Sequence, residues 1–224
     1  MKKFLFLIAL VFATNNLFAE TGKELLDACA KAMKHEKFKE FNTSKIEASV
    51  TQMGMNIGLM LYIKDKNLRL EQSLMGQEMV LVATAEGTAF MLKPNRQEIP
   101  SEQSQQVRGQ ISMFMPNVLE LQEDVSPENI ELVGTEDFNG KSAKKVKITE
   151  ESGEFFVFID PITNWLVGIS MPMFDLAFDS MKKVKGLVYP SNTKVMQGGQ
   201  VAAEYNIDKW EVNIDIPDSL FAKE

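Results

Sequence analysis

The chain has 224 residues, 45% of them apolar, and its 24 Lys and Arg stand against 31 Asp and Glu, a formal net charge of −7. That acidic balance argues against nucleic-acid binding and against steady adhesion to anionic membrane. Cys29 is the only cysteine and His35 the only histidine, which excludes an internal disulfide and leaves too few ligands for a zinc site of the usual kind.

Residues 1–19 read as a cleavable secretory signal. Lys2 and Lys3 form a positive start, Phe4 to Ala13 an apolar stretch, and Leu17-Phe18-Ala19 ends in the small residue that signal peptidase needs. The stretch is too short to span a bilayer as a mature helix. Residues 20–224 are therefore expected to form one exported, periplasmic domain without stable membrane insertion. Leu26-Asp27-Ala28-Cys29 has the outline of a lipidation box, but Asp27 is charged and Glu20 to Asp27 is polar where a lipoprotein signal is apolar.

Thr21-Gly22-Lys23-Glu24 has the form of a capping box. The helix it starts carries Leu25, Leu26, Cys29, Met33 and Phe38 at helical spacing and is expected to end by Asn42. Two hairpins follow, predicted over 45–53 with 56–64 and over 67–75 with 78–84, and then a strand over 88–93 that stops at Pro94. Ile57, Leu59, Leu61 and Ile63 alternate with Gly58, Met60 and Tyr62, so the isoleucines and leucines face the interior. Leu68 and Leu70 alternate with Arg69 and Glu71, which places that ion pair on the outer, solvated face.

Ser101 can cap a central helix over 101–123 with Val107, Ile111, Phe114, Met115 and Leu119 on one side, and Pro116 should kink it. Beyond it lie seven predicted strands, 130–137, 141–150, 154–160, 165–171, 173–184, 187–197 and 200–211, separated by turn residues such as Asn139-Gly140 and Gly198-Gly199. The expected fold is α+β but mainly β. It is a single large curved antiparallel sheet of about eleven strands, an unclosed half-barrel, covered by the N-terminal helix and a central lid helix.

The sequence contains no P-loop, no G-x-G-x-x-G, no H-E-x-x-H, no C-x-x-C and no G-x-S-x-G. A histidine-dependent triad would have to use His35, which reads as an exposed helix residue beside Lys34 and Lys37. Acidic residues are plentiful, but no pair stands out as a hydrolase dyad. The expectation is a non-enzyme with no catalytic residue, no metal and no cofactor. The unusual feature is methionine, 14 in the chain, spread over the hairpins, the central helix and the last strands. Methionine fills irregular cores and also adapts to ligands of variable shape.

Short motifs in a fixed order then carry a resemblance. They are Leu61-Tyr62-Ile63-Lys64-Asp65-Lys66 with Leu68-Arg69-Leu70-Glu71, then Ala85-Glu86-Gly87-Thr88 and Leu92-Lys93-Pro94. Gly134-Thr135-Glu136 with Asn139-Gly140-Lys141 follows, then Phe158-Ile159-Asp160-Pro161-Ile162-Thr163, Gly186-Leu187-Val188-Tyr189-Pro190 and Ile214-Asp215-Ile216-Pro217-Asp218-Ser219-Leu220-Phe221. In this order the chain resembles the outer-membrane lipoprotein carrier superfamily, the LolA/LolB-like proteins, over nearly all of residues 20–224. The resemblance implies an unclosed antiparallel barrel with helices as a lid over an apolar cavity, and transient binding of lipoprotein acyl chains in the periplasm. It also implies a releasing complex in the inner membrane and an acceptor at the outer membrane. The family's lid-latching arginine is replaced here by Asp65, and its cavity aromatics partly by methionine and aliphatic residues.

Alternation and resemblance together predict a monomeric lipid carrier with a cavity lined by Ile57, Leu59, Leu61, Leu68, Leu70 and Phe90, with Phe114 and Met115 from the cover. The alternative is a sensor or interaction module that uses the same sheet to bind a protein partner.

Overall fold

A computed structural model describes residues 20–100, 108–109 and 115–222. Helix α1 spans Gly22–Met33 and is followed by a 3-10 turn, His35–Glu40. The strands of the first half are β1 (Thr43–Gln52), β2 (Met55–Lys64), β3 (Asn67–Leu74), β4 (Gln77–Ala83), β5 (Ala89–Lys93) and β6 (Gln97–Ile99). Among the described residues after them come helical residues 108–109, the helix α2 (Val118–Leu121) and a 3-10 turn, Pro127–Asn129, and then β7 (Ile130–Phe138), β8 (Lys141–Glu150), β9 (Gly153–Ile159), β10 (Leu166–Ser170), β11 (Asp175–Val184), β12 (Leu187–Gln197) and β13 (Gln200–Val212).

All thirteen strands form one antiparallel sheet in the order β6-β5-β4-β3-β2-β1-β13-β12-β11-β10-β9-β8-β7. Neighbours are hairpin partners except at one place. There β1 pairs with β13, with Ser44 opposite Val212 and Gln52 opposite Ala203, and so joins the two halves of the chain. β6 and β7 are the outermost of the described strands and do not pair with each other, so the sheet curls without closing. The strand beyond the predicted set is β6, three residues too short to show an alternation.

The capping box forms as its sequence requires. The Thr21 hydroxyl accepts from the Glu24 N–H at 3.1 Å, and the Glu24 carboxylate accepts from the Thr21 N–H at 2.8 Å. Gly22 is needed where α1 starts, because a Cβ there would stand 2.9 Å from the β7 backbone at Glu131 and Leu132. The helix stops at Met33, well short of Asn42. Lys34 takes a left-handed conformation and its N–H caps the last carbonyls, so His35–Glu40 continues only as a 3-10 turn.

Leu25, Leu26, Cys29, Ala30 and Met33 lie buried against Val146, Ile148, Val157, Ile159, Leu176 and Phe178, so α1 fills the concave face of β7–β12. A second cluster covers the other half of that face, with Ile46, Leu61, Leu68, Leu81, Ile207 and Trp210 at its centre and Phe38, Phe41 and Met115 packed on it. The outer face of β2–β5 is covered by the C-terminal segment, whose Ile216 and Phe221 pack on Val82 and Phe90. No described helix is long and apolar enough to cross a membrane.

Candidate ligand groove

The ladder decides which side chains share the concave face, since residues directly opposite each other point the same way. Leu61 stands opposite Ile46 and Leu70, and Leu70 opposite Leu81. Leu68 stands opposite Ile63 and Ala83, Leu59 opposite Ala48, and Ile57 opposite Val50. Ile57, Leu59, Leu61, Leu68 and Leu70 therefore share one face, as alternation predicts. Leu61 and Leu68 are buried, and the other three are half-buried.

Phe90 is the exception. It stands opposite Val82 on the outer face, and the C-terminal segment seals it with Ile216 and Phe221. Phe90 pairs with Val82 in step with Ala83 opposite Ala89, so its side is set by how the 84–88 turn enters β5; the irregularity between Val80 and Leu81 lies beyond it, at Leu92. Phe114 lies outside the described residues. Met115 packs on the same apolar cluster as Leu61 and Leu68.

A groove of about 640 Å³ opens beside that cluster. Its apolar walls are Phe38, Phe41, Ile63, Met115, Leu119 and Trp210, and its rim carries Lys39, Asp65, Lys66, Asn117, Glu120 and Glu123. A recess of about 310 Å³ shares Phe38, Ile63, Lys66, Met115, Asn117 and Glu120 with it and reaches Leu68. A further depression of about 570 Å³ is lined by Glu47, Arg69, Glu71, Glu78, Lys93 and Asp208 among others, a setting too charged for a hydrocarbon chain.

Sequence reasoning missed the aromatic wall. Trp210 holds Tyr189 at 4.8 Å and Phe38 and Phe41 each at 6.0 Å between ring centroids. Trp210 is only 8% exposed, and its indole N–H is buried without a hydrogen-bond partner. A signal was present in the two phenylalanines three residues apart after α1, but only β1–β13 pairing brings Trp210 to them.

The polar contacts around the groove hold its walls. His35 is 1% exposed, not the solvated residue its charged neighbours suggest, and its Nδ1 accepts from the Val118 N–H at 2.9 Å. That contact ties α2 to the turn carrying Phe38. Arg108 donates to the carbonyls of Lys66, Ala83 and Thr84 at 2.8, 2.9 and 2.7 Å. Asp65 and Lys66, both at positive φ, form the β2–β3 turn at the groove mouth. Arg69 and Glu71 pair at 2.7 Å, but Arg69 is half-buried and also donates to the Leu220 carbonyl at 2.9 Å, so the pair anchors the C-terminal segment. Among the described residues no group of three or more His, Cys, Asp or Glu side chains could hold a metal ion.

No protein-family profile and no curated protein matches the chain. Solved structures do. A LolA superfamily protein from Nitrosomonas europaea superposes with a TM-score of 0.54 at 8% identity, covering 91% of this chain and 98% of the other. A DUF1329 family protein from Desulfovibrio piger gives 0.46 at 13% identity with the same coverage. The Mycobacterium tuberculosis lipoprotein LppX gives 0.34 at 13% identity, covering 85% and 98%. The first of these, at a TM-score above one half, shows that the chain has a LolA-like fold.

Proposed function

We propose that this LolA-like fold serves as an exported carrier, holding the acyl chains of a lipoprotein or another lipid in the groove for transfer across the periplasm towards the outer membrane. The observation that carries the reading is an asymmetry. α1 fills the concave face of β7–β12, whereas the apolar face of β1–β6 opens on a groove walled by Phe38, Phe41, Ile63, Met115 and Trp210. Each sequestered CH₂ is worth about 0.8 kcal/mol, so an acyl chain needs such shelter to cross water. A polar rim suits the headgroup end of the cargo.

In this reading residues 1–19 direct export, the carrier acts as a monomer, and loading and unloading involve an inner-membrane releasing complex and an outer-membrane acceptor. No catalysis is needed. His35 is no free general base, because its Nδ1 is already committed to Val118. The partner-binding alternative predicts a filled, dry interior and an exposed apolar patch, and the groove beside Met115 speaks against the first of these.

The test is native mass spectrometry of the exported protein from its own periplasm, followed by uptake of a fluorescent fatty acid. We expect bound lipid in the first measurement and saturable uptake in the second. Ile63→Asn, at a half-buried position on the groove wall, should weaken uptake roughly tenfold with little loss of fold. Protein that arrives empty and ignores the probe would move the assignment to partner binding.

A further inference from the structure

Four hairpin tips stand side by side at the end of the sheet away from the Asp65–Lys66 turn: β3–β4, β1–β2, β12–β13 and β10–β11. Their sequences are Leu74-Met75-Gly76-Gln77, Gln52-Met53-Gly54-Met55, Gln197-Gly198-Gly199-Gln200 and Met171-Pro172-Met173-Phe174, without one charge among them. The tips flanking this row on either side do carry charge, Arg96 between β5 and β6 and Glu151 between β8 and β9. In a chain that is 25% charged, an uncharged row of four adjacent tips is a departure.

Three of the four tips also carry exposed apolar side chains. Met53 is 88% exposed, Met75 86% and Met173 76%. Two of these methionines occupy backbone positions that disfavour them. Met53 and Met75 have φ of 51° and 52°, each followed by a glycine at positive φ. That is the two-residue hairpin in which asparagine or aspartate normally takes the first place. The same protein uses the ordinary solution at Asn139-Gly140, with φ of 52° and 77°. Nothing in folding favours a methionine there: the backbone resists it and the side chain packs on little. The residue choice makes sense through what it touches outside the chain.

We infer that this methionine rim docks the protein on a lipid surface of electroneutral headgroups. The tips are separate points about 10 Å apart, two strand spacings. A fluid interface accepts discrete flexible side chains between its headgroups, whereas a protein partner requires a continuous complementary patch. No lysine or arginine lies on the four tips to draw them to anionic lipid, and the net charge of −7 opposes such lipid. The inference is independent of what fills the groove, which lies on the concave face.

The experiment is flotation of the exported chain with phosphatidylcholine vesicles, comparing the native sequence with a Met53→Asn/Met75→Asn variant. Asparagine suits both turn positions, so the variant should unfold at the same or a higher temperature while its vesicle binding falls roughly tenfold. A Met173→Ser variant should weaken binding further. Absence of binding by the native chain, or equal binding by the double variant, would overturn the inference. Binding that strengthens when phosphatidylglycerol is added would overturn its electroneutral part. A protein whose capture depends on Met53 and Met75 in place of vesicles would assign the rim to a protein partner. Acyl-probe uptake in the same samples reads the groove separately.

Discussion

Burial pushes the His35 imidazole down from its ordinary value to about 4, because the charged form would lose its water among Phe38 and the core. The unfolded chain binds this proton near pH 6.5 and the folded chain only near 4, so stability is complete above about 6.5 and declines as pH falls between those values. The whole effect is up to about 3 kcal/mol at one unit of pKa per 1.4 kcal/mol. His35 is the only histidine, so between pH 6.5 and 5 it dominates the proton uptake on unfolding. We expect the urea midpoint to fall over that interval and to stay nearly flat in His35→Gln; equal slopes in both proteins would assign the effect to carboxylates. The same position shows how burial overrides local sequence. Lys34 and Lys37 suggested a solvated histidine, and the left-handed Lys34 turned the chain so that His35 points inward.

At the scale of elements, the C-terminal segment is held by more than its apolar contacts. Thr43 Oγ1 donates to the Ile214 carbonyl at 2.7 Å, Lys64 donates to the Ile216 carbonyl at 2.8 Å, and Arg69 reaches Leu220. Lys64 also pairs with Asp218 at 2.7 Å, and that hydrogen bond raises its pKa. The segment thereby converts the outer face of β2–β5 from solvent-facing to buried. Phe221→Ala should cost about 3 kcal/mol in chemical denaturation. A change below about 1 kcal/mol would mean that the segment lies on the sheet without stabilising it. The N-terminal helix depends on local chemistry instead, through the reciprocal contacts of Thr21 and Glu24.

Across the whole molecule, β1–β13 pairing is the junction on which both halves hang. β1 bonds to β2 on one side and β13 on the other, and Ile46 stands between Leu61 and Trp210. Ile46→Ala leaves a cavity in the second apolar cluster, at a cost of about 2–4 kcal/mol. Because the sheet is continuous, far-ultraviolet circular dichroism should record one thermal transition at a lower midpoint. Two separated transitions would show that the halves fold independently. The same pairing builds the groove, since it sets Trp210 against Phe38 and Phe41, residues about 170 positions away in the chain.

What the amino-acid sequence by itself determined is local. Period-two alternation placed Ile57, Leu59, Leu61, Leu68 and Leu70 on one face, because successive side chains of a strand must point to opposite sides. Thr21 and Glu24 set the start of α1, and Gly-containing turns set most hairpins, because these depend on a few neighbouring dihedral angles. The short edge strand β6, the outward-facing Phe90 and the buried His35 were decided by tertiary structure. A three-residue strand exists only through its partner β5, and Phe90 is buried by a segment more than a hundred residues downstream. The groove too belongs to the tertiary structure: its aromatic wall is assembled by a pairing between the first and last strands of the chain, and no local pattern encodes which distant face will meet which.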